Sequence, residues 1–354
     1  MPMLVDAIRA DIKLSDAGYV ESIYVKEISE RPVIGLSWQD MPLEAQYVDF
    51  AEAFERGGAV SVFLPQLNDA ADAEKVLKEV DGVFVSGGED WNPSAYGEIQ
   101  SPHGSAWWND KRDLSDSYLI LGAIVSDVPM LCSCRGEQGL NIVLGGGIIQ
   151  DIRSYLGEKV LAGEIPVTRV TEVKSGTLPQ GGEKVKDLGY SYFDENYTYI
   201  GETYDEENGT YLDGTGCKEG HLRVCIDGIG HTSGAHALEA GVDGMGVSKN
   251  SKWLYDIVGA ESISVIHSEH HQAVDPDRLG KGLTIAAMSS DGIVEAIEYK
   301  DNTFALGLQW HPEKDALRNS VGSEVDQDLS NKILGELIKY AAWRKKGINT
   351  KLLH

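Results

Sequence analysis

No apolar run in this chain approaches the roughly 20 residues that a membrane-spanning helix needs. Positive charge is also short. Lys and Arg number 31 against 56 Asp and Glu, a formal net charge of -25 at pH 7. A nucleic-acid or anionic-membrane partner requires a basic face, so neither is expected. Cysteine is scarce, with four in 354 residues, which does not suggest a disulfide framework. The opening MPMLVDAIRADIKLSD has acids where an export leader keeps its apolar stretch. A cytoplasmic setting follows as the expectation, with the cysteines as thiols and the sequons at Asn196 and Asn208 of no consequence. Cys217 and Cys225 stand far from any His pair at zinc-finger spacing, so no metal is expected there.

What the chain does have is an apolar fraction of 42%, enough for one large α/β domain or a core with a sizeable insertion. Short β-branched runs are followed by turns and helical patterns. Strands are predicted over Pro32–Trp38, Val60–Pro65, Gly82–Gly88 and Pro129–Ser133. Between them Leu43, Tyr47, Phe50 and Phe54 recur at helical spacing, and further helices are predicted near 70–80 and 112–126. Such alternation implies a mostly parallel sheet covered by helices on both faces. Its ligands would sit at the carboxyl ends of the strands. From about Tyr155 to Ala260 the rhythm fails and tyrosine, glycine and acid become dense. The α/β pattern returns at Ser262–Ser268, Leu283–Met288, Val294–Tyr299 and Phe304–Trp310, with a last helix near 324–346. The expected organisation is an N-terminal extension over 1–30 and one domain over 31–354 with an insertion at about 155–260. The tyrosines of that insertion (Tyr190, Tyr192, Tyr197, Tyr199, Tyr204 and Tyr211) suit a local core or a homo-oligomer contact as well as a substrate lid.

Candidate chemistry begins at LCSCRGEQGL, with Cys132 and Cys134 one residue apart. A thiol at a strand-to-helix junction gains from the helix dipole and from backbone N–H groups without helical acceptors. The sharp turn that exposes it brings strand and helix together, so its neighbours two residues away must be small. Cys134 meets that requirement, with Cys132 before it and Gly136 after it. Cys132 belongs to the apolar strand, has no glycine two residues on, and is read as a packing residue. A nucleophilic thiol needs a base and a group to orient that base. GLQWHPEKD offers His311 and Glu313, and if the segment is extended the two point the same way. An oxyanion needs donors; Gly87 and Gly88 at another strand end, with the N–H of Arg135, could supply them. Alone, His-Pro-Glu is an ordinary surface turn and Gly-Gly an ordinary glycine turn. The cysteine junction gives both a role. His270 and His271 are adjacent, so in an extended segment they face opposite ways. No acid or thiol at a matching spacing suggests metal, and a hydrogen-bonding or half-buried role is expected.

DGVFVSGGEDWNPSAYGE, VPMLCSCRGEQGLNIVLGGGIIQDI, HSEHHQAV and GLQWHPE together resemble, in order, the signature segments of the gamma-glutamyl-gamma-aminobutyrate hydrolase family, within the class I glutamine amidotransferase-like superfamily. The resemblance covers about 32–152 and 262–345. It implies a flavodoxin-like, doubly wound α/β fold and hydrolysis of a γ-glutamyl amide without metal or organic cofactor. It carries over Cys134 as nucleophile, His311 as base, Glu313 as orienter, and Gly88 with Arg135 as oxyanion donors. Gln138, Ser268, His270 and His271, with Gly87 beside them, become candidates for binding a small γ-glutamyl substrate. The chain departs from the family pattern where Cys132 replaces glycine, Ser133 replaces an aliphatic residue, and Glu269 stands where an aromatic residue is usual. An acid at Glu269 would favour a cationic amine leaving group, as in γ-glutamylated polyamines. Three rivals share these residues: a glutaminase feeding ammonia to a synthetase, a γ-glutamyl transferase, and a non-catalytic binding protein.

Overall fold

A computed structural model of the chain describes residues 30–38, 45–101, 104, 107–161, 164, 246–317 and 326–348; between 165 and 245 it describes short strands and His231. The alternation expected from the β-branched runs is realised in the first half. β1 (Val33–Leu36) leads to α1 (Ala45–Arg56), then β2 (Val60–Phe63), α2 (Ala70–Glu79) and β3 (Gly82–Val85). α3 (Asp110–Val125), β4 (Met130–Ser133) and α4 (Arg135–Val143) follow. Helix starts fall where side chains can accept orphan N–H groups. Asp69 accepts from the Asp72 N–H at 2.8 Å, and Asn109 from that of Arg112 at 3.2 Å. Gly58, at φ 92°, takes the left-handed turn that ends α1.

β5 (Ile148–Ile149) and α5 (Ile152–Leu161) come next. The stretch expected to be an insertion contains β6 (Val167–Glu172), β7 (Ser191–Phe193), β8 (Thr203–Asp205), β9 (Thr210–Leu212), β10 (Leu222–Ile226) and β11 (Gly234–Leu238). The irregular sequence here resolves into antiparallel pairs. β10 pairs with β6 and β7, and β8 pairs with β9 with Tyr204 and Tyr211 as backbone partners in the register. Tyr192 lies in β7, whereas Tyr190, Tyr197 and Tyr199 fall outside the described residues, as does the extension over 1–29.

The rest of the fold is β12 (Gly246–Val247), α6 (Leu254–Val258), β13 (Ile263–Ser268), β14 (Ala273–Val274), β15 (Leu283–Met288), β16 (Val294–Tyr299), β17 (Ala305–Leu308), α7 (Pro312–Asp315) and α8 (Gln327–Lys345). The central sheet has eight strands in the order β12-β15-β16-β17-β4-β3-β1-β2. From β17 to β2 every pairing is parallel, and from β12 to β17 every pairing is antiparallel. This is the flavodoxin-like α/β arrangement with an antiparallel extension. β13, expected as a strand, lies outside this sheet and pairs with β11.

Both faces of the sheet are covered, so its strands are nearly continuous apolar runs. One core joins Phe54, Phe84, Leu306 and Leu308 to Ile333 and Leu337 of α8. The other joins Val83, Val85 and Met130 to Leu119, Ile120 and Ala123 of α3. Burying a large aliphatic or aromatic side chain stabilises by about 1.5–3 kcal/mol. These layers fix β3, β4 and β17, the three adjacent strands whose carboxyl ends carry the candidate site.

Candidate active site

Cys134 follows the last residue of β4 and precedes the first of α4. Its backbone sits at φ 51°, ψ -110°, a conformation an L-residue adopts only where its surroundings enforce it. The enforcement is visible. The Cys134 N–H donates to the Leu308 carbonyl at 2.7 Å, tying the turn to β17. α4 then packs so closely on β3 that a Cβ on Gly136 would lie 2.2 Å from the Val85 carbonyl oxygen. Glycine at that position is therefore obligatory for the turn. Arg135 is the first residue of α4, and N–H groups of a first helical turn have no intrahelical acceptor.

His311 follows β17, and Gly87 follows β3. A Cβ placed on Gly87 would meet His311 Cε1 at 2.6 Å and Cys134 Cβ at 3.3 Å. Thiol-bearing residue, imidazole and glycine loop thus meet around a point the size of a methyl group. His311 Nδ1 lies 2.7 Å from Glu313 Oε1, and Glu313 is fully buried. The contact arises differently from the extended-segment expectation. Pro312 opens the short helix α7, for which its fixed φ is suited, and Glu313 reaches the ring from that helical turn. Burial pulls the His311 imidazolium down, but the Glu313 carboxylate and the hydrogen-bonded Cys134 thiol outweigh it and hold its pKa at about 10. Ser133, noted in the sequence only as a departure, places Oγ 3.1 and 3.3 Å from the two Glu313 oxygens.

Cys132 is fully buried, and burial, with Asp116 and Glu137 adding to it, pushes its thiol well above the ordinary range. It packs; Cys134 faces the imidazole.

Gly88 has φ 148°, and a Cβ there would lie 2.0 Å from Arg112 Nη1. The Arg112 guanidinium is wholly buried and donates to the Gly87 carbonyl at 2.7 Å, the Ser86 carbonyl at 3.1 Å and Glu89 at 2.7 Å. In a trans peptide the C=O and N–H point opposite ways, so the Gly88 N–H is turned away from Arg112. Arg135 uses its side chain elsewhere, pairing with Asp113 and Asp116 and lying 4.2 Å over the Trp91 ring. Arg112, Asp113 and Asp116 were not singled out in the sequence. The signal was there: they share a helical face with the buried Leu119, Ile120 and Ala123.

The remaining predicted residues have separate partners. Gln138 donates to Gln309 Oε1 at 3.2 Å and to the Gln272 carbonyl at 3.3 Å. Ser268 is buried and donates to the His231 carbonyl at 2.8 Å. His271 reaches Asp90 at 3.0 Å and is one-third exposed. His270 turns the other way, into the interior beside His231 at a ring separation of 5.0 Å. Glu269 is half-exposed, hydrogen-bonded to His267 at 2.6 Å and paired with Lys314. The His267 hydrogen bond first, then Lys314, holds its carboxyl below the usual range, so its charge is matched before any substrate arrives. Two acids the sequence did not mark lie deeper. Glu137 is raised well above the usual range by burial, with Glu295 and Cys134 adding to it. Glu295 faces His231; burial pulls that imidazolium down, while Asp291 and Glu295 lift it to about 9.

Among the described residues no helix is long and apolar enough to cross a membrane. Comparison with known proteins supplies the wider setting. The chain is 26% identical over 304 residues to a glutamine amidotransferase-like protein of Rickettsia prowazekii, covering 81% of this chain and 92% of that one. It is 23% identical over 301 residues to the gamma-glutamyl-gamma-aminobutyrate hydrolase of Escherichia coli, covering 82% and 88%. A solved glutaminase domain of Trypanosoma brucei CTPS with bound acivicin superposes with a TM-score of 0.45 at 16% identity, over 88% of this chain and 94% of that one. The model of the Peptidase C26 family matches residues 18–175 and 228–313. Those segments make up most of the chain and carry the Cys134 turn and the His311 segment: the protein belongs to the Peptidase C26 family, within the class I glutamine amidotransferase-like superfamily.

Proposed function

We propose that the protein is a cysteine-dependent hydrolase of γ-glutamyl amides, of the γ-glutamyl-aminobutyrate or γ-glutamyl-amine type. The Cys134 thiolate attacks the γ-carbonyl, and the N–H groups of Gly88 and Arg135 hold the oxyanion. The His311 imidazolium gives its proton to the departing amine, leaving a γ-glutamyl thioester on Cys134. His311 then takes a proton from water, the resulting hydroxide displaces the thiolate, and glutamate is released. Glu313 orients the ring and balances the imidazolium. The observation that carries the reading is the convergence at Gly87, where His311 and Cys134 approach one point from neighbouring strand ends. On the amine side, Glu269 is already paired with His267 and Lys314. A polyamine would have to compete with Lys314 for it, so no cationic preference is assigned.

The kinship with a glutamine amidotransferase-like protein supports a second reading, a glutaminase that supplies ammonia to a synthetase. One screen separates the two. Purified protein is given γ-glutamyl derivatives of aminobutyrate, polyamines, aromatic amines and glutamate, with glutamine alongside, and released glutamate is measured. Turnover of a substituted amide without a partner is the expected result. Turnover of glutamine alone, rising when a synthetase is added, replaces the first reading with the second.

A further inference from the structure

Both proposed oxyanion donors belong to segments that are tied to one buried side-chain network. Arg112 and Asp116 stand one turn apart on α3, so their side chains share a face. Arg112, Asp116 and Arg135 have side chains no more than 1% exposed. Asp116 Oδ2 lies 3.4 Å from Arg112 Nε, and the same oxygen accepts from Arg135 Nη1. A single carboxylate oxygen of α3 therefore sits between two guanidiniums. One holds the Gly87–Gly88 peptide, and the other belongs to the residue whose N–H is the second donor.

The network grips backbone on both sides. Towards β3, Arg112 Nη2 donates to the Ser86 carbonyl at 3.1 Å and to the Gly87 carbonyl at 2.7 Å. The second bond fixes the plane of the peptide that carries the Gly88 N–H. Gly88 is exposed, at φ 148°, although the guanidinium behind it is wholly buried. Towards α4, Asp113 takes Arg135 with one oxygen and the Asn92 N–H with the other, at 3.0 Å. The Trp91 indole N–H donates to the Arg135 carbonyl at 2.9 Å. Burying such a network costs desolvation, and an apolar core of similar volume is often at least as stable. Stability alone is therefore a weak reason for it. Hydrogen bonds have direction, and these are directed at the two segments where an oxyanion site needs fixed geometry.

We propose that Asp116 is a positioning residue for the oxyanion site, setting the distance between the Gly88 and Arg135 N–H groups through Arg112 and Arg135. The inference rests on the reading of those two N–H groups as oxyanion donors. Sheet pairing cannot do this work, because β3 ends at Val85 and β4 at Ser133, short of both donors. Asp116 acts only through the two guanidiniums, so its effect falls on the transition state, where the oxyanion forms, and not on the thiol itself.

The test compares the full chain with its Asp116→Asn variant on the γ-glutamyl amide turned over fastest in the screen above. Asn keeps the volume and leaves Arg112 on Glu89 and Arg135 on Asp113, so no guanidinium loses its last carboxylate. kcat should fall about 10–10²-fold, the scale of a misplacement of about 1 Å, with KM little changed. Alkylation of Cys134 by iodoacetamide displaces iodide and forms no oxyanion. Its rate and pH dependence, read by peptide mass, should stay at the wild-type values. Arg112→Lys keeps the charge but cannot fork across two carbonyls, and it should show the same split. It also carries the test if Asp116→Asn does not fold. The two changes together should cost little more than either alone. Unchanged kcat, losses that multiply, or alkylation that falls in step with kcat would each overturn the role of Asp116. Wild-type turnover, and with it the hydrolase reading, would survive all three. A wild type that hydrolyses none of the screened amides removes that reading, and this inference falls with it.

Discussion

Among the described residues two of the buried imidazoles, His311 and His231, lie within hydrogen-bonding distance of carboxylates, and their further partners differ. His311 rests on Glu313 at the carboxyl edge of the parallel half of the sheet. His231 rests between Asp291 and Glu295 beside the antiparallel half. Burial pulls both imidazoliums down and carboxylates lift both, to about 10 and about 9. The contrast lies in the second partner. His311 meets a thiol held at a positive φ by a glycine-dependent turn. His231 meets a second imidazole and a second acid. A raised histidine pKa therefore does not identify a catalytic centre by itself; a nucleophile within reach does.

The harshest way to break that contrast is to remove the proposed nucleophile. Cys134→Ala should lower kcat for glutamate release by about 10⁴-fold or more, by analogy with serine triads. Cys132→Ala, two residues away, should leave kcat nearly unchanged and cost roughly 1 kcal/mol of stability through lost packing, read from denaturant melts. Activity that survives the first change and dies with the second would put the wrong sulfur in the centre.

Next in size is the carboxylate behind the base. Glu313→Gln should lower kcat by about 10³–10⁴-fold, as loss of an orienting acid does in related triads. It should also move a pH limb. In the proposed mechanism amine departure needs the proton on His311, so kcat should fall as pH rises through the His311 pKa of about 10. Without the Glu313 charge that pKa drops, and the falling limb shifts to lower pH. An unmoved limb in the kcat–pH profile would mean that Glu313 does not govern this proton.

Crowding comes third. Gly87→Ala puts a methyl group 2.6 Å from His311 Cε1, pushing base and nucleophile out of line. A misplacement of about 1 Å can cost 10²-fold, so a loss of about that size is expected with circular dichroism unchanged. Near-wild-type activity would show that the loop is free to retreat.

The parts of this design legible in the sequence are those with a short period or a tight turn. The first four strands and the helices between them are visible because short continuous apolar runs alternate with segments whose apolar residues recur at spacings of three to four. The Cys134 turn was visible because Gly136 must be small where α4 meets the Val85 carbonyl. Tertiary partners left no such trace. Arg112 looked like an ordinary first-turn helix residue, and only the fold brings its guanidinium to the Gly87 carbonyl. Glu295 reads as one acid in VEAIEY, much like Glu298. Yet Glu298 accepts from the Trp253 and Leu254 N–H groups at the start of α6, while Glu295 meets His231. β13 was legible as a strand, but its partner β11 lies in the stretch at about 155–260 that has no readable periodicity.

The smallest effect tests the finest part of the contrast, the hydroxyl that the His311 cluster has and a bare triad lacks. Ser133 Oγ lies 3.1 Å from Glu313 Oε2 and 3.1 Å from the Trp310 carbonyl, so its one proton is shared between two acceptors. When it points to Glu313 it draws charge away from the oxygen that faces His311. Ser133→Ala removes a hydrogen bond worth about 1 kcal/mol, which corresponds to roughly a fivefold change in kcat. With the carboxylate less stabilised, its hold on the imidazolium tightens, and the alkaline limb should move slightly upward in pH. Since the hydroxyl acts through Glu313, its removal should matter little once Glu313→Gln is in place. If the two substitutions instead multiply as independent losses, Ser133 is a packing residue and the base is held by Glu313 alone.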